Sequence, residues 1–297
     1  MKQLNNTLLN IDPSIEKAKI KSFIKTVLKK QSFDKVIIGL SGGIDSATSF
    51  YLLKEVVPPE NIFIAHLYYQ NSQFHEIDPI LKEAKIPKDN IYELNIDPLV
   101  KSIQKVYPSS EVSPKADKSR SNNETMQQFN NDSSRQARTI NSKTTHLNKI
   151  RIGNISARVR MILLYDLAKK HNALVCGTEN KTEHLLGYFT RFGDEASDFE
   201  PIQHLYKTQI FQLASFLGIP KSIIDKTPTA GLWPGQTDEK EFGFTYKEAD
   251  QVLFYYYDKK VKLKEIVGMG FKNAEKIIDF SLKNAYKHSA PYILDGR

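Results

Sequence analysis

The feature that most constrains the fold is Val36-Ile37-Ile38-Gly39-Leu40 running into Ser41-Gly42-Gly43-Ile44-Asp45-Ser46. A short, wholly apolar run bounded by glycine reads as a buried strand covered on both faces, the usual state of a strand in a parallel sheet. The paired glycines let the backbone turn sharply, and a helix is expected from Asp45 to about Lys54. Parallel strands can be joined only through crossovers, so a strand of this kind commits the chain to α/β architecture.

The rest of the sequence repeats the pattern. Residues 14–30 form an amphipathic helix, with Ile15, Ala18, Phe23, Val27 and Leu28 recurring among lysines. Short apolar runs at Ile62–Leu67, Ile91–Leu94 and Ala173–Cys176 alternate with helical patterns. The expected fold is a doubly wound parallel sheet with flanking helices and a C-terminal helical extension, one domain over residues 1–297. Residues 108–146 break the pattern, being rich in Ser and Asn and poor in aromatic and branched apolar residues. Such a stretch buries too little surface to offset its ordering entropy, so it reads as a mobile insertion, either a tolerated surface loop or a lid. Helix is expected to resume over Leu147–Lys170.

Composition narrows the function classes. The net charge is +8, which favours anionic ligands without separating nucleotides from nucleic acid. No apolar run approaches the roughly 20 residues of a membrane span. The N-terminus lacks the pattern of a signal peptide, and Cys176 is the single cysteine, so the expectation is a cytoplasmic protein with no internal disulfide.

Gly39, Leu40, Ser41, Gly42, Gly43, Ile44, Asp45 and Ser46, between strand and helix, suit a pyrophosphate: backbone N–H groups, a helix N-terminus and two hydroxyls converge there. Asp45 adds a hard oxygen for Mg2+. Beyond the insertion, Asn154 and Arg158 share a helix face, Thr178 ends a strand at the edge where open sheets bind ligands, and Glu183 is placed to supply a second Mg2+ ligand. The loop around Arg191 and Asp198 offers a cation for phosphate and an acceptor. Singly, Arg158 and Glu183 also read as ordinary solvated charges.

The Ser41–Ser46 loop resembles the SGGxDS motif of the ATP pyrophosphatases, which have an adenine nucleotide alpha hydrolase-like fold. With Gly153–Arg158, Cys176–Glu183, Gly187–Asp198, Lys207 and Pro228–Glu239, the chain is similar to the ammonia-dependent NAD synthetases. The resemblance covers residues 34–56 and 147–245 well. It implies a homodimeric ligase that adenylates deamido-NAD with ATP and lets ammonia displace AMP. By the same resemblance Gly39 to Ser46, Thr178, Lys207 and Thr229 bind ATP, and Asp45 and Glu183 bind Mg2+. Arg158, Arg191, Asp198 and Lys287 meet deamido-NAD, and Asp45 and Asp198 are the catalytic candidates. Two positions depart from the family: Arg191 stands where lysine is usual, and Tyr286 replaces the histidine before Lys287, leaving His288 one register away.

Other readings stay open at this level. A GMP synthetase-like or tRNA-modifying enzyme shares the loop, although a single cysteine disfavours thiolation. A nucleic-acid-binding module is suggested by Val267-Gly268-Met269-Gly270 with Lys272, Lys276, Lys283 and Lys287, against the plainer reading of a glycine turn between surface helices. Cys176, within Ala173–Thr178, reads as a buried strand-end thiol rather than a glutaminase nucleophile.

Overall fold

The computed structural model describes residues 7–71, 74–106, 130–229 and 235–289, with backbone only over 130–146. In chain order the elements are α1 (Pro13–Gln31), β1 (Val36–Gly39), α2 (Ile44–Leu53), β2 (Ile62–Tyr68), α3 (Phe74–Glu83), β3 (Ile91–Asn95), α4 (Asp97–Val106) and α5 (Asn130–His171). They continue with β4 (Leu174–Cys176), α6 (Lys181–Leu186), α7 (Lys207–Phe216), α8 (Lys221–Ile224), α9 (Asp238–Phe242), α10 (Tyr246–Leu253), α11 (Leu263–Gly268) and α12 (Ala274–Asn284).

The four strands form one parallel sheet in the order β3-β2-β1-β4. Alternation along the strands divides the core in two, as a two-residue side-chain period requires. Val36, Ile38, Ile62, Ile64, Leu174 and Cys176 pack with α1, α2, α3 and α7 on one face. Ile37, Phe63, Ala65 and Val175 pack with Val100 of α4 and Val159, Leu167 and Ala168 of α5 on the other. Helices on both faces make the sheet doubly wound, as expected. A third cluster, built on Leu186, Tyr206, Phe242, Ala249, Val252, Ile277 and Ile278, belongs to the C-terminal helices.

Two expectations change. Helix α5 begins at Asn130, so its backbone takes in the C-terminal part of the segment expected to be an insertion; residues 107–129 lie outside the described residues. A helix needs no apolar stripe where a chain continues an already nucleated helix. The helix-hairpin-helix reading also weakens. Helix α12 buries Ala274, Ile277, Ile278 and Ser281, and the Nζ atoms of Lys276 and Lys287 donate to backbone carbonyls, of Gly243 in the first case and of Gly187 and Phe189 in the second. No helix among the described residues is long and apolar enough to cross a membrane.

Ile38 is fully buried at the centre of β1, between β2 and β4. Ile38→Ala is expected to cost about 2–5 kcal/mol in a denaturant titration, from lost burial plus the cavity left behind. A loss below about 1 kcal/mol would show that the core collapses onto the gap.

Candidate active site

A cleft of about 570 Å3 opens at the carboxyl ends of β1, β2 and β4. From β1 the chain winds outward through β2 and β3, then returns to place β4 on the other side of β1. Ligands of open sheets bind at such a switch point.

The turn after β1 braces itself. Gly42 has φ +79°, a left-handed conformation that favours glycine. The Gly43 N–H donates to Ser41 Oγ (3.2 Å), Ser46 Oγ donates to the Gly43 carbonyl (3.0 Å), and the two hydroxyls lie 3.2 Å apart. Both serine hydroxyls therefore hold the loop's shape. Helix α2 follows with Gly43 as its N-cap and no side-chain cap, which leaves an N-terminus suited to an anion.

Beside this loop sits a buried ion cluster assembled from three helices. Lys207, at the start of α7 and only 2% exposed, donates from Nζ to Asp45 Oδ2 (2.5 Å) and Glu183 Oε1 (3.4 Å). Asn180 donates from Nδ2 to Asp45 Oδ1 (3.0 Å) and caps α6 in a reciprocal box with Glu183. Burial, and then the neighbouring carboxylates of Asp45, Asp238 and Glu179, push the Glu183 carboxyl up to about 8 against the pull of Lys207. Burial alone would lower Lys207, but Asp45 and Glu183 hold its ammonium above the ordinary range. A second layer fixes the lysine: its N–H donates to Thr182 Oγ1 (2.9 Å), and Thr182 donates to the buried Asp250 (2.5 Å), which also accepts from Thr208 N–H (2.8 Å).

Two hard carboxylates beside an anion-binding turn fit Mg2+, which is usually held by one or two carboxylates together with substrate phosphates. Among the described residues no group of three or more His, Cys, Asp or Glu could hold a metal by itself.

Of the residues expected to bind ATP, Gly39, Leu40, Ser41, Gly43, Ile44, Asp45, Ser46, Thr178, Lys207 and Thr229 line the cleft, with Glu183 among them, and Gly42 does not. The residues expected to meet deamido-NAD do not line it. Arg158 is exposed on α5 and donates to the Arg191 carbonyl (3.1 Å), while Asn154 accepts from Thr190 Oγ1 (2.9 Å), so this helix face grips the 187–198 loop. Arg191 has a buried Nε without a partner, a donor open to an anion. Lys287 spends two hydrogen bonds on the carbonyls of Gly187 and Phe189. His288 packs against His184 and Phe189, with ring centroids 4.4 and 5.4 Å away, whereas Tyr286 is exposed; the one-residue shift thus leaves an imidazole beside the loop.

Asp198 also stands outside the cleft lining. Its Oδ2 accepts the Val175 N–H (2.7 Å) and its own N–H donates to the Val175 carbonyl (2.9 Å), so it satisfies the open edge of β4. Several cleft residues escaped the sequence reading, among them Arg160, His66, Tyr188 and Asp238. Asn180 was within reach, because Asn-x-x-Glu at 180–183 is a capping-box signature. Cys176 is buried, and burial raises its thiol, so it is no nucleophile.

Glu200 underpins this wall: it accepts from Glu179 N–H (3.0 Å) and Ser197 Oγ (2.8 Å), and a Cβ at Gly177 would overlap its carboxyl. Burial pushes the Glu200 carboxyl up to about 8. The folded protein thus binds a proton there that the unfolded chain releases, and stability from this group is lost as pH rises from about 5 to 8. Glu200→Gln is expected to flatten the fall in melting temperature across that window. An unchanged slope would assign the fall to other groups.

A family model for NAD synthase matches residues 16–128 and 124–291. An NH(3)-dependent NAD(+) synthetase of Fusobacterium nucleatum subsp. nucleatum is 35% identical over 273 residues, 91% of this chain and 92% of that protein. Among solved structures, an NMN synthetase from Francisella tularensis superposes with a TM-score of 0.71 at 27% identity, covering 96% of this chain and 100% of that one. The NH3-dependent NAD synthetase from Campylobacter jejuni gives 0.67 at 27% identity, with the same coverage. A glycine turn and uncapped helix N-terminus at a switch point, a buried carboxylate pair on one lysine, and similarity along nearly the whole chain lead to one conclusion: this chain belongs to the NAD synthase family.

Proposed function

We propose that the chain makes NAD from deamido-NAD, ATP and ammonia. The observation that carries this reading is the convergence of Asp45, Glu183 and Lys207 beside the Gly42 turn. In the first step the nicotinate carboxylate attacks the α-phosphorus of ATP, and pyrophosphate leaves. In the second, ammonia attacks the acyl carbon, AMP leaves, and one proton is released.

No protein nucleophile is needed; the chain's own groups position and neutralise. The Gly39–Ser46 turn receives the phosphates, Thr178 and Thr229 border the nucleotide, and Lys207 supplies a fixed positive charge. Asp45 and Glu183 would hold Mg2+, which when bound neutralises phosphate charge and eases departure of pyrophosphate. Ammonia as donor is supported by the buried, raised thiol of Cys176, which could not hold a glutamyl group. The same reduced, buried thiol supports a cytoplasmic setting.

The test is direct. Purified protein with ATP, MgCl2, ammonium chloride and deamido-NAD should yield NAD, AMP and pyrophosphate in equal amounts, and absence of NAD would sink the reading. Because one solved neighbour is an NMN synthetase, nicotinate mononucleotide is assayed in parallel. Preference for it would move the substrate from dinucleotide to mononucleotide. Asp45→Asn should lower kcat by roughly a hundredfold or more with the fold intact, since it removes charge stabilisation at the reacting phosphates.

We further propose a homodimer through α5. Leu147, Ile150, Asn154, Arg158 and Ile162 step by three or four residues and so share one face, and its three apolar members are 61%, 38% and 59% exposed. Arg158 lies in the middle of that stripe, so a second copy would bring the deamido-NAD residues into an enclosed site. Ile162→Asp is expected to shift the species seen by sedimentation from dimer toward monomer and to raise KM for deamido-NAD. A wild-type protein that is monomeric and fully active would remove the dimer from the proposal.

A further inference from the structure

Glu76, in the first turn of α3, and Lys226, just before Thr227-Pro228-Thr229, meet above the phosphate-binding turn. Lys226 Nζ donates to Glu76 Oε2 at 2.6 Å, and the two side chains are 26% and 29% exposed. A Cβ placed on Gly42 would lie 3.1 Å from Glu76 Oε2 and 3.7 Å from Lys226 Nζ. The pair therefore rests against the residue on which the turn depends.

This arrangement is odd for a site that takes a polyanion. The N-terminus of α2 carries positive potential, and the Glu76 carboxylate sits over it where phosphate oxygens are expected. Lys226 cancels that charge in the ligand-free protein. The other cleft lysine, Lys207, is locked by two carboxylates and 2% exposed, whereas Lys226 lines the same cleft with its side chain 26% exposed. A partly exposed ion pair contributes little net stability, so exchanging one carboxylate partner for a multiply charged phosphate costs little.

We propose that Lys226 is a further substrate-contacting residue, which leaves Glu76 for the pyrophosphate portion of ATP, and that Glu76 is a competing anion that weakens binding until the exchange occurs. The inference rests on the reading that ATP phosphates occupy the Gly39–Ser46 turn. It also links chain segments: a lysine adjoining Thr229 would bring the 226–229 stretch onto the nucleotide only when phosphate is present.

The two partners should respond in opposite directions, which a merely structural ion pair would not do. Calorimetric titration of the whole protein with pyrophosphate and MgCl2 measures the phosphate site without the reaction. Lys226→Met is expected to weaken pyrophosphate roughly tenfold and raise KM for ATP in parallel, as loss of one charge-assisted contact. Glu76→Gln is expected to tighten both roughly threefold by removing the competing charge. Lys226→Arg should stay near wild type, and melting temperatures verify folding. If Lys226→Met fails to fold, Glu76→Gln alone decides, since tighter binding supports the proposal and weaker or equal binding overturns it. Equal changes in both variants, or none, also overturn it. Absence of pyrophosphate binding in every protein would instead remove the phosphate reading on which the inference stands.

Discussion

The structure of the site depends on one buried ammonium. Lys207 holds Asp45 and Glu183 together at the mouth of the sheet, and neither carboxylate could sit there uncompensated. Burial, and then the carboxylates around it, raise the proton affinity of Glu183. The lysine answers that charge, so the geometry of the cluster is set by the chain's own groups. Replacing the cluster with apolar residues would pack as well; what the ions contribute is a preformed place for charge.

Three helices far apart in sequence must be fixed relative to one another for this to work. Asp45 comes from α2, Glu183 from α6 and Lys207 from α7. The capping box of Asn180 joins two of them, because the side chain that caps α6 also donates to Asp45. Thr182 joins the third by accepting the Lys207 N–H. The chain thus uses helix ends, where backbone donors need partners in any case, as the fasteners of the site.

Much of this was legible from residue types. The apolar run at 36–40, the glycine pair and the alternation of short runs with helical patterns are local signals, and each maps onto β1, the turn and the parallel sheet. Of the residues expected on the ATP side, Gly39–Ser46 and Thr178 lie within a few positions of strand ends, so knowing the fold locates them, whereas Lys207 and Thr229 do not. The pairing of Asp198 with Val175 was not legible in the same way: a carboxylate in a glycine-rich loop gives no local sign that it completes the edge of a strand 23 residues away. Nor could Arg160 and His66 be singled out, since Arg160 donates to the Leu67 carbonyl and His66 bonds the Leu40 carbonyl across the sheet. Helix α5 extended beyond its apolar pattern because composition reports burial, whereas helix propagation depends on backbone bonds already formed.

The C-terminal helices acquire a reason from the same logic. Asp250 of α10 accepts from both Thr182 and Thr208, bridging the helices that carry Glu183 and Lys207. Burial pushes its carboxyl up to about 6, and those hydrogen bonds together with the nearby charge of Lys207 oppose the rise. Tyr246, on the same helix, donates to Asp238 (2.8 Å), and its ring lies 5.1 Å from Lys207 Nζ. Helix α10 is in turn held by Ala249, Val252 and Leu253 in the cluster shared with α12. A helical extension that resembles a nucleic-acid module by its glycine turn and lysines is, in packing terms, the outer wall of the ion cluster. The sheet supplies the cleft, and these helices fix where the charges within it stand.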